Sequence, residues 1–332
     1  MKSNFLNKKK VLFISPMFFG YHQVINDKLQ DLGAIVHYYD EKPSNNALFK
    51  GAMRLNRNVL PRYIDSYYQS ILKKIENESY DFLFVVKGEV ITEDFIQGFK
   101  KSNPKAKCFL MLWDSIKNYN YVLDKVELFN RTFSFDKDDC EQYGFEFRPL
   151  FFNEKYLTIA HDHDNLLYDI SFIGTVHSDR LKILEEIKRK LGHSYSYFYY
   201  LYIPSKLLFY IKKIFKKEFR VKPKSYFQFQ GLSGDKVLKK ISQSRIVIDI
   251  EHPKQTGLTM RTIEMLGAGR KIITTNKSVK EYDFYCKENI FIIDRNNIKI
   301  DNDFLTCEFK KIDKGILDYY SVTGFLNQIF KD

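Results

Sequence analysis

Short apolar strands alternate with helix-like segments along most of the 332 residues, and this alternation limits the fold more than any other feature. VLFIS (11–15) and FLFVVK (82–87) are typical strands, whereas TEDFIQGFKK (92–101) has the apolar spacing of a helix that Thr92 caps. Strands joined in series by helices form a parallel sheet with helices on both faces. The first half of the chain therefore predicts a doubly wound α/β domain.

The alternation restarts after a polar segment, AHDHDNLLYD (160–169), that interrupts the periodicity. DISFIG (169–174) and RIVIDI (245–250) are predicted strands, and HSDRLKILEEIKRKLG (177–192) is a predicted helix. This pattern predicts a second doubly wound unit. Ligands are expected at the carboxyl ends of its strands.

We therefore predict an α/β protein with two Rossmann-like, doubly wound domains that face a central cleft. The N-terminal domain is predicted over 1–155 and the second domain over 156–313. The remaining residues, 314–332, are predicted to form a C-terminal helix that packs back on the N-terminal domain.

Charge and cysteine usage narrow the class of protein. The formal net charge of +12 favours anionic partners such as nucleotide phosphates, nucleic acid or an acidic lipid surface. The four cysteines form no C-x-x-C pair, so we expect structural thiols in a reducing compartment. No run approaches the ~18 apolar residues of a membrane span. These features predict a cytoplasmic protein, either free or peripheral on the inner face of the plasma membrane.

The segment EHPKQTGLTMRTIEMLGAGRKIITTN (251–276) carries the strongest candidate site. It follows a uniformly apolar strand, and its helix is predicted to begin near Leu258 and Thr259. The first N–H groups of a helix are unpaired and carry partial positive charge, which suits a phosphate or diphosphate. Gly257 lets the backbone approach such an anion closely.

Arg261 and Glu264 lie one turn apart on the same face of this helix. The guanidinium can bind a phosphate at the helix start, and the carboxylate can accept two hydrogen bonds from a ribose diol. The alternative is a plain intrahelical ion pair on a solvated face. Spacing alone does not separate the two.

QTGLTMRTIEMLGAGRKIITTN (255–276) resembles the donor-binding segment of bacterial GT-B glycosyltransferases found in capsule and lipopolysaccharide clusters and related to the CgeB-like enzymes. SFIGTVHSDR (171–180) and YFYYLYIPSKLLFY (197–210) resemble the same group. The resemblance implies a GT-B fold whose C-terminal half holds a nucleotide-sugar donor. It implies transfer of the sugar to a glycan or lipid-linked acceptor in surface polysaccharide synthesis, with no cofactor and no bound metal.

The resemblance also implies roles for individual residues. By position in the motif, Glu264 would bind the donor ribose, Arg261 the diphosphate, and the backbone of Thr256–Thr259 the phosphates. Many retaining GT-B enzymes carry Glu-x7-Glu. Counted back from Glu264, the first acidic position falls on Thr256, beside Gly257, so this template is incomplete and the stereochemistry stays open.

A second loop of the C-terminal half is implied to face the donor phosphates. Gly174 and Thr175 end the strand DISFI (169–173) and precede a helix with Arg180 in its first turn. Arg180 would add positive charge to the loop. The alternative is an ordinary turn between strand and helix, with Ser178 as the helix cap.

The N-terminal half offers candidates for a catalytic base. An inverting transfer needs a group that takes the proton of the acceptor hydroxyl. Asp114 after the strand LMLW and Glu89 after FVVKG are best placed by topology, and His22 is third. The alternative for Asp114 is the cap of a following helix.

Residues 205–224, SKLLFYIKKIFKKEFRVKPK, are rich in Lys and Arg and contain one Glu. Apolar residues recur there at helical spacing beside Lys212, Lys213, Lys216 and Lys217. A basic amphipathic helix predicts contact with an anionic membrane surface. The alternative is a helix with its apolar face on the core and its lysines in water.

Metal and nucleic-acid sites are not expected. Asp-x-Asp begins at Asp136, Asp162 and Asp301, but none follows a suitable strand, and His161 and His163 favour a solvated linker over a chelating pair. Two other functions fit parts of the pattern. One is a sugar-nucleotide epimerase on the same architecture, and the other is a basic nucleic-acid-binding protein, for which no RNA or DNA module is recognisable.

Overall fold

The computed structural model describes residues 4–44, 61–160, 165–253 and 256–331. The chain forms two compact units. The first consists of Met1–Pro149 with Phe325–Asp332, and the second of Leu150–Gly324.

The first unit contains a six-stranded sheet in the order β2-β1-β3-β4-β5-β6, and every neighbouring pair is parallel. Its strands are β1 (Lys10–Ser15), β2 (Ile35–Asp40), β3 (Phe82–Val86), β4 (Lys107–Met111), β5 (Arg131–Ser134) and β6 (Glu146–Phe147). Its helices are α1 (Tyr21–Asp31), α2 (Pro61–Lys74), α3 (Glu93–Ser102) and α4 (Lys137–Tyr143), with a 3-10 helix over Asn120–Leu128.

Apolar strand residues form the core of this unit. Phe13, Phe84 and Phe109 lie on β1, β3 and β4 and are buried. The ring of Phe330, near the end of the chain, packs edge-on against Phe84 and Phe109 at centroid distances of 5.3 and 5.6 Å. These contacts fix the last residues of the chain on the first sheet.

The helix predicted over 92–101 is confirmed as α3. Thr92 caps it, because its side chain accepts a hydrogen bond from the Phe95 N–H at 3.3 Å. The described part of α2 begins at Pro61, and residues 45–60 before it lie outside the described ranges.

β6 is a short strand at the edge of this sheet. Glu146–Phe147 pairs with β5, and the Arg148 N–H donates to the Ser134 carbonyl at 2.9 Å. Pro149 comes next and has no N–H for a strand partner. The side chain of Arg148 is fully buried, and its Nη1 donates a hydrogen bond to Gln328 Oε1 at 2.9 Å.

The second unit contains a five-stranded parallel sheet in the order β11-β10-β9-β7-β8. Its strands are β7 (Tyr168–Thr175), β8 (Tyr197–Tyr202), β9 (Ser244–Asp249), β10 (Lys271–Thr274) and β11 (Ile290–Ile292). The remaining helices along the chain are α5 (Arg180–Leu191), α6 (Lys206–Phe215), α7 (Lys217–Arg220), α8 (Gly234–Ser242), α9 (Met260–Ala268), α10 (Asn302–Thr306), α11 (Lys314–Tyr320) and α12 (Val322–Phe330). Within the described ranges, every helix is too short or too polar to cross a lipid bilayer.

Strand order reverses once in each sheet, as the doubly wound prediction requires. The chain passes from β1 to β2 on one side and then to β3 on the other, and β7, β8 and β9 repeat this order. Loops on the two sides of such a reversal leave in opposite directions, which opens a crevice at the carboxyl ends of the strands. The crevices lie beside β1 and β3 in the first unit and beside β7 and β9 in the second.

Helix α9 lies unusually close to Phe152. A Cβ atom on Gly267 would lie 2.6 Å from Phe152 Cδ2, so only glycine permits this approach. Gly269 then ends the helix in the left-handed conformation with φ of 58°.

The tail predicted as one helix over 314–332 is divided into α11 and α12 at Ser321. Phe152 accounts for the division. Its N–H donates to the Tyr320 carbonyl at 2.9 Å, and its carbonyl accepts from the Val322 N–H at 3.0 Å. The backbone of Phe152 thus hydrogen-bonds the Tyr320 carbonyl and the Val322 N–H, which a continuous helix would have paired internally.

Candidate functional site

The start of α9 is fixed to the end of β9. Asp249 is the last residue of β9 and is buried, and its Oδ2 accepts hydrogen bonds from the hydroxyls of Thr259 and Thr262, both at 2.6 Å. Thr259 is also the helix cap and accepts from the Thr262 N–H at 3.3 Å. The predicted helix start is confirmed, and it lies rigidly at the carboxyl end of a central strand.

The loop before α9 is held by a residue that sequence reasoning missed. The side-chain amide of Asn276 donates to the carbonyls of Thr256 and Gly257 at 3.1 and 3.3 Å. Leu258, the next residue, is buried. The signal was present in the sequence, because Asn276 ends the TTN that belongs to the resembling motif. The conformation of residues 256–258 is therefore set from the end of β10.

Arg261 and Glu264 form an ion pair on α9, with Arg261 Nη1 and Glu264 Oε2 2.8 Å apart. Their side chains are 19% and 5% exposed, so the pair is not on a solvated face. Tyr156 is buried beside them and hydrogen-bonds to both. Burial and the Glu264 carboxylate raise the pKa of Tyr156, which stays protonated as a hydrogen-bond donor. The expected ion pair exists, but in a buried setting that also includes a tyrosine from a distant segment.

Arg180 joins the two loops of the β7/β9 crevice. Its Nη1 donates to the Thr175 carbonyl at 2.9 Å and its Nε to the Ile250 carbonyl at 2.7 Å. Gly174 leaves room for this arrangement, since a Cβ there would lie 3.0 Å from Phe172 Cζ and 3.4 Å from Arg180 Nη1. Arg180 therefore positions the backbone on both sides of the crevice.

Ser178 does not cap α5, so that alternative is wrong. The cap position is Asp179, without a side-chain cap bond, and Ser178 has a left-handed φ of 50°. The Ser178 hydroxyl lies 3.0 Å from His177 Nδ1. Burial and the nearby Arg180 lower the pKa of His177 to about 3, so its imidazole is neutral at physiological pH. The His252 ring lies 5.8 Å from the His177 ring, so two imidazole rings lie side by side at the crevice.

A further charged cluster lies beside β9 and was not predicted. Arg295 donates to Glu251 Oε1 at 2.6 Å and to Asp179 Oδ1 at 2.7 Å, and the Thr275 hydroxyl donates to the other Glu251 oxygen. Burial alone would lower the pKa of Arg295, but the bond to Glu251 raises it. The partners lie far apart in sequence, so spacing gave no signal for the cluster.

Glu251, Thr275 and Arg295 of this cluster line a pocket of about 320 Å³ at the carboxyl ends of β9, β10 and β11. Ligand pockets begin at about this size. Its lining is mostly polar and consists of Glu251, Thr256, Thr275, Asn276, Lys277, Ser278, Ile293, Asp294, Arg295 and Asn296. Thr256 joins this pocket to the start of α9.

In the first unit, Asp114 and Glu89 share one lysine. Lys87 Nζ lies 3.0 Å from Asp114 Oδ2 and 3.0 Å from Glu89 Oε2, and Lys42 Nζ lies 2.8 Å from the same Glu89 oxygen. We call Lys42, Lys87, Glu89 and Asp114 the Lys87 cluster. Lys87 and Gly88 have φ of 79° and 70°, so the chain turns sharply after β3 and directs Lys87 into the cluster. The structure thus brings together two of the three predicted base candidates.

The two acids of the Lys87 cluster differ in basicity. Burial raises the pKa of Asp114, and Lys87 opposes this only in part. Burial acts in the same direction on Glu89, but Lys87 and Lys42 together lower the pKa of Glu89 to about 2. Asp114 is therefore the better proton acceptor near neutral pH. The helix-cap alternative for Asp114 is wrong, because the next helical segment is Asn120–Leu128 and begins after Tyr119.

His22, the third candidate, lies on α1 and is buried. Its ring stacks on Tyr38 at 5.4 Å, and burial lowers its pKa. An acid that was not predicted, Glu41, is fully buried and accepts a hydrogen bond from the Val90 N–H at 3.0 Å. Burial and the nearby Glu89 raise the pKa of Glu41 to about 7. Titratable groups thus concentrate at the carboxyl end of the first sheet.

Metal-ligand clusters of three or more His, Cys, Asp or Glu side chains do not occur in the part of the chain that the structure describes. His161, Asp162, His163 and Asp164 lie outside the described residues. The expectation that the protein binds no metal stays a prediction.

Comparison with known proteins places the fold. No protein-family model and no curated protein sequence matches the chain. Anabaena HepE in complex with UDP-glucose has a similar structure, with a TM-score of 0.62 and 11% identity over 96% of this chain and 98% of that one.

Two further solved structures agree. A glycosyltransferase from Rickettsia africae gives a TM-score of 0.56 and 14% identity over 88% of this chain and 85% of that one. A UDP-forming α,α-trehalose-phosphate synthase from Burkholderia vietnamiensis gives 0.54 and 7%, over 98% and 92%. At such identities the likeness shows the fold alone, which is two parallel-sheet, Rossmann-like units of the GT-B type, as the sequence predicted.

Proposed function

We propose that this chain is a glycosyltransferase that moves a sugar from a nucleotide-sugar donor to a glycan or lipid-linked acceptor. The observation that carries the proposal is the buried Arg261–Glu264 pair, one turn inside a helix whose start is fixed at the carboxyl end of β9. The shared fold with HepE, which was solved with UDP-glucose, supports it.

The donor is proposed to bind in the second unit. The unpaired amides of a helix start attract phosphate, and in this chain that start is the segment Thr256–Thr259 before α9. Arg261 adds a positive charge one turn further, and Glu264 offers a carboxylate to the ribose hydroxyls. Arg180 acts as a positioning residue, because its guanidinium is occupied with the carbonyls of Thr175 and Ile250.

The acceptor is proposed to bind in the first unit, beside the Lys87 cluster. In an inverting transfer, the acceptor hydroxyl gives its proton to Asp114 while its oxygen forms a bond to the anomeric carbon of the donor. The bond from that carbon to the diphosphate breaks, and the nucleoside diphosphate leaves. The raised pKa of Asp114 suits this role, and NMR of the product's anomeric configuration tests it.

No metal or cofactor is required by this scheme. Arg261 and the start of α9 supply positive charge near the leaving diphosphate, as metal ions do in other phosphate sites. Full activity in the presence of EDTA is the expected result. The resemblance to capsule and lipopolysaccharide enzymes supports a surface glycan, or its lipid-linked precursor, as the acceptor. It likewise supports a place at the inner face of the plasma membrane.

Nucleotide binding tests the proposal directly. Titration calorimetry with UDP-, GDP-, CMP- and dTDP-sugars should identify one donor class, and Glu264→Gln should weaken its binding by about tenfold or more. Glu186→Gln is the matched control, since Glu186 forms an exposed i,i+3 pair with Arg189.

Two results would contradict the proposal. One is unchanged donor binding in a folded Glu264→Gln variant. The other is conversion of the donor sugar without any acceptor, which would identify an epimerase instead.

A further inference from the structure

Helix α6 exposes an apolar face to solvent. Leu207, Ile214 and Phe215 are 70%, 62% and 77% exposed. We call the following residues the α6 apolar surface, all of them exposed: Leu207, Tyr210, Ile211, Ile214, Phe215 and Val221.

These residues do not belong to the core face of the helix. Leu207, Ile211 and Ile214 are spaced by four and three residues and so lie on one face. Phe209 projects to the opposite side, where it is buried against the ring of Phe227 at a centroid distance of 5.3 Å. Surface helices ordinarily place polar side chains toward solvent. The alternative predicted from sequence, in which the apolar face covers the core, is therefore wrong for most of the apolar residues of α6.

Cations flank the α6 apolar surface, but not all four lysines singled out in the sequence contribute. Lys206 and Lys217 are exposed, whereas Lys213 is half-buried and its Nζ lies 5.9 Å from the centroid of the buried Phe209 ring. Lys212 packs over the Phe219 ring at 5.3 Å, and Lys216 Nζ donates to the Ser178 carbonyl at 2.8 Å. These three lysines are therefore held against the second unit, and the outward positive charge comes from Lys206 and Lys217.

The helix is already ordered before it meets a partner. Ser205 caps its start by accepting from the Leu208 N–H at 3.1 Å. Arg220 closes its end by donating to the carbonyls of Lys213 and Ile214. Binding through this face needs no folding step, which removes a large entropic cost.

We propose that the α6 apolar surface seats the protein on an anionic phospholipid bilayer, with α6 lying in the plane of the interface. Aliphatic and aromatic side chains enter the boundary between headgroups and acyl chains, and Lys206 and Lys217 meet the anionic headgroups. The aliphatic character of the face favours lipid over nucleic acid, whose bases stack on aromatic side chains. The surface lies in the second unit and does not depend on the proposed transfer reaction.

Sedimentation with vesicles of phosphatidylglycerol and phosphatidylcholine, at low salt, tests the proposed binding of the α6 apolar surface to a bilayer, which we call the membrane seat. The unmodified chain should sediment with these vesicles and stay in solution with phosphatidylcholine alone. Replacing Lys206 and Lys217 by Gln should weaken partition by roughly fivefold per lysine, or about 25-fold together. Leu207→Ser with Phe215→Ser should weaken it by about tenfold or more.

Matched controls lie elsewhere in the second unit. Lys236→Gln with Lys239→Gln removes two exposed lysines from α8, and Leu167→Ser removes an exposed leucine. Neither control should reduce sedimentation, and thermal melts should show that every variant is folded. Donor binding without vesicles should be unchanged in the α6 variants, so failure of the membrane seat and failure of the proposed transferase are distinguishable.

Three outcomes would overturn the membrane seat. The first is no sedimentation of the unmodified chain with anionic vesicles. The second is equal loss in the α8 controls. The third is a different partner for the same face, seen as a dimer that Phe215→Ser dissociates or as oligonucleotide binding that the lysine variants abolish while vesicle binding persists.

Discussion

The Arg261–Glu264 pair of the second unit and the Lys87 cluster of the first both hold acids near strand ends, yet their backbones differ. Arg261 and Glu264 lie on a regular helix, and their side chains meet through i,i+3 spacing. Lys87 reaches Asp114 and Glu89 from two consecutive left-handed residues after β3. Regular backbone makes the first pair predictable from spacing, whereas the second depends on a turn and on strand order. We expect the two to respond differently to substitution.

Asp114→Asn should give the largest effect. It removes the proposed proton acceptor while keeping its size, so kcat should fall by about 10²–10⁴-fold with donor binding retained. Steady-state kinetics with the identified donor measures this. Asp138→Asn, at an exposed acid paired with Lys117, is the control and should keep full activity. A loss confined to KM would remove Asp114 from the chemistry.

Glu264→Ala should lower the free energy of unfolding by roughly 3 kcal/mol, because Arg261 would lose its buried partner. Glu186→Ala breaks a pair with the same i,i+3 separation on α5, whose side chains are 34% and 67% exposed, and should lower the free energy of unfolding far less. Urea denaturation compares the two. Equal costs would show that burial does not distinguish the pairs.

Gly88→Ala should destabilise the first unit by about 2 kcal/mol. Its φ of 70° strains any other residue, and a Cβ would lie 3.0 Å from Leu110 Cδ1. Gly144 has φ of 71° with no atom within 4 Å of an added Cβ, so Gly144→Ala should cost only about 1 kcal/mol. Thermal unfolding of both variants isolates the packing contribution at the turn that presents Lys87.

Lys87→Gln should shift the acid limb of the kcat/KM profile upward by about one pH unit. Asp114 acts deprotonated, and Lys87 lowers its pKa, so removal of the cation raises that pKa and activity is lost at a higher pH as the medium is acidified. Lys117→Gln, which alters an exposed pair in the same unit, should leave the limb in place. A downward shift would contradict the assignment of the base.

Local sequence pattern predicted the helices and strands and part of the candidate site in the second unit. The apolar strands, the capped start of α9 and the Arg261–Glu264 contact can each be predicted from residues that are close together in the sequence. The bond from Arg180 to Ile250 and the pair of Arg295 with Glu251 join segments that are distant in sequence. Only the strand order brings them together, and spacing does not encode it.

Errors arose where a tertiary partner outweighed a local preference. Asp114 has the chemistry of a helix cap, but Lys87 from the neighbouring strand end pairs with it. The lysines of 205–224 are likewise equivalent in the sequence pattern. Lys216 differs in the structure, because its Nζ donates a hydrogen bond to the Ser178 carbonyl.

The contact between Gly267 and Phe152 restricts how this protein can change its ligand. A Cβ on Gly267 would lie only 2.6 Å from Phe152 Cδ2, so the close packing leaves no room for α9 to slide or rotate against Phe152. The distance between the sheet and the amide groups in the first turn of α9 is therefore fixed. In the proposed donor site, a change of sugar or base would therefore have to come from the segments before α9 and after β10, which is where a selection experiment should concentrate its randomised codons.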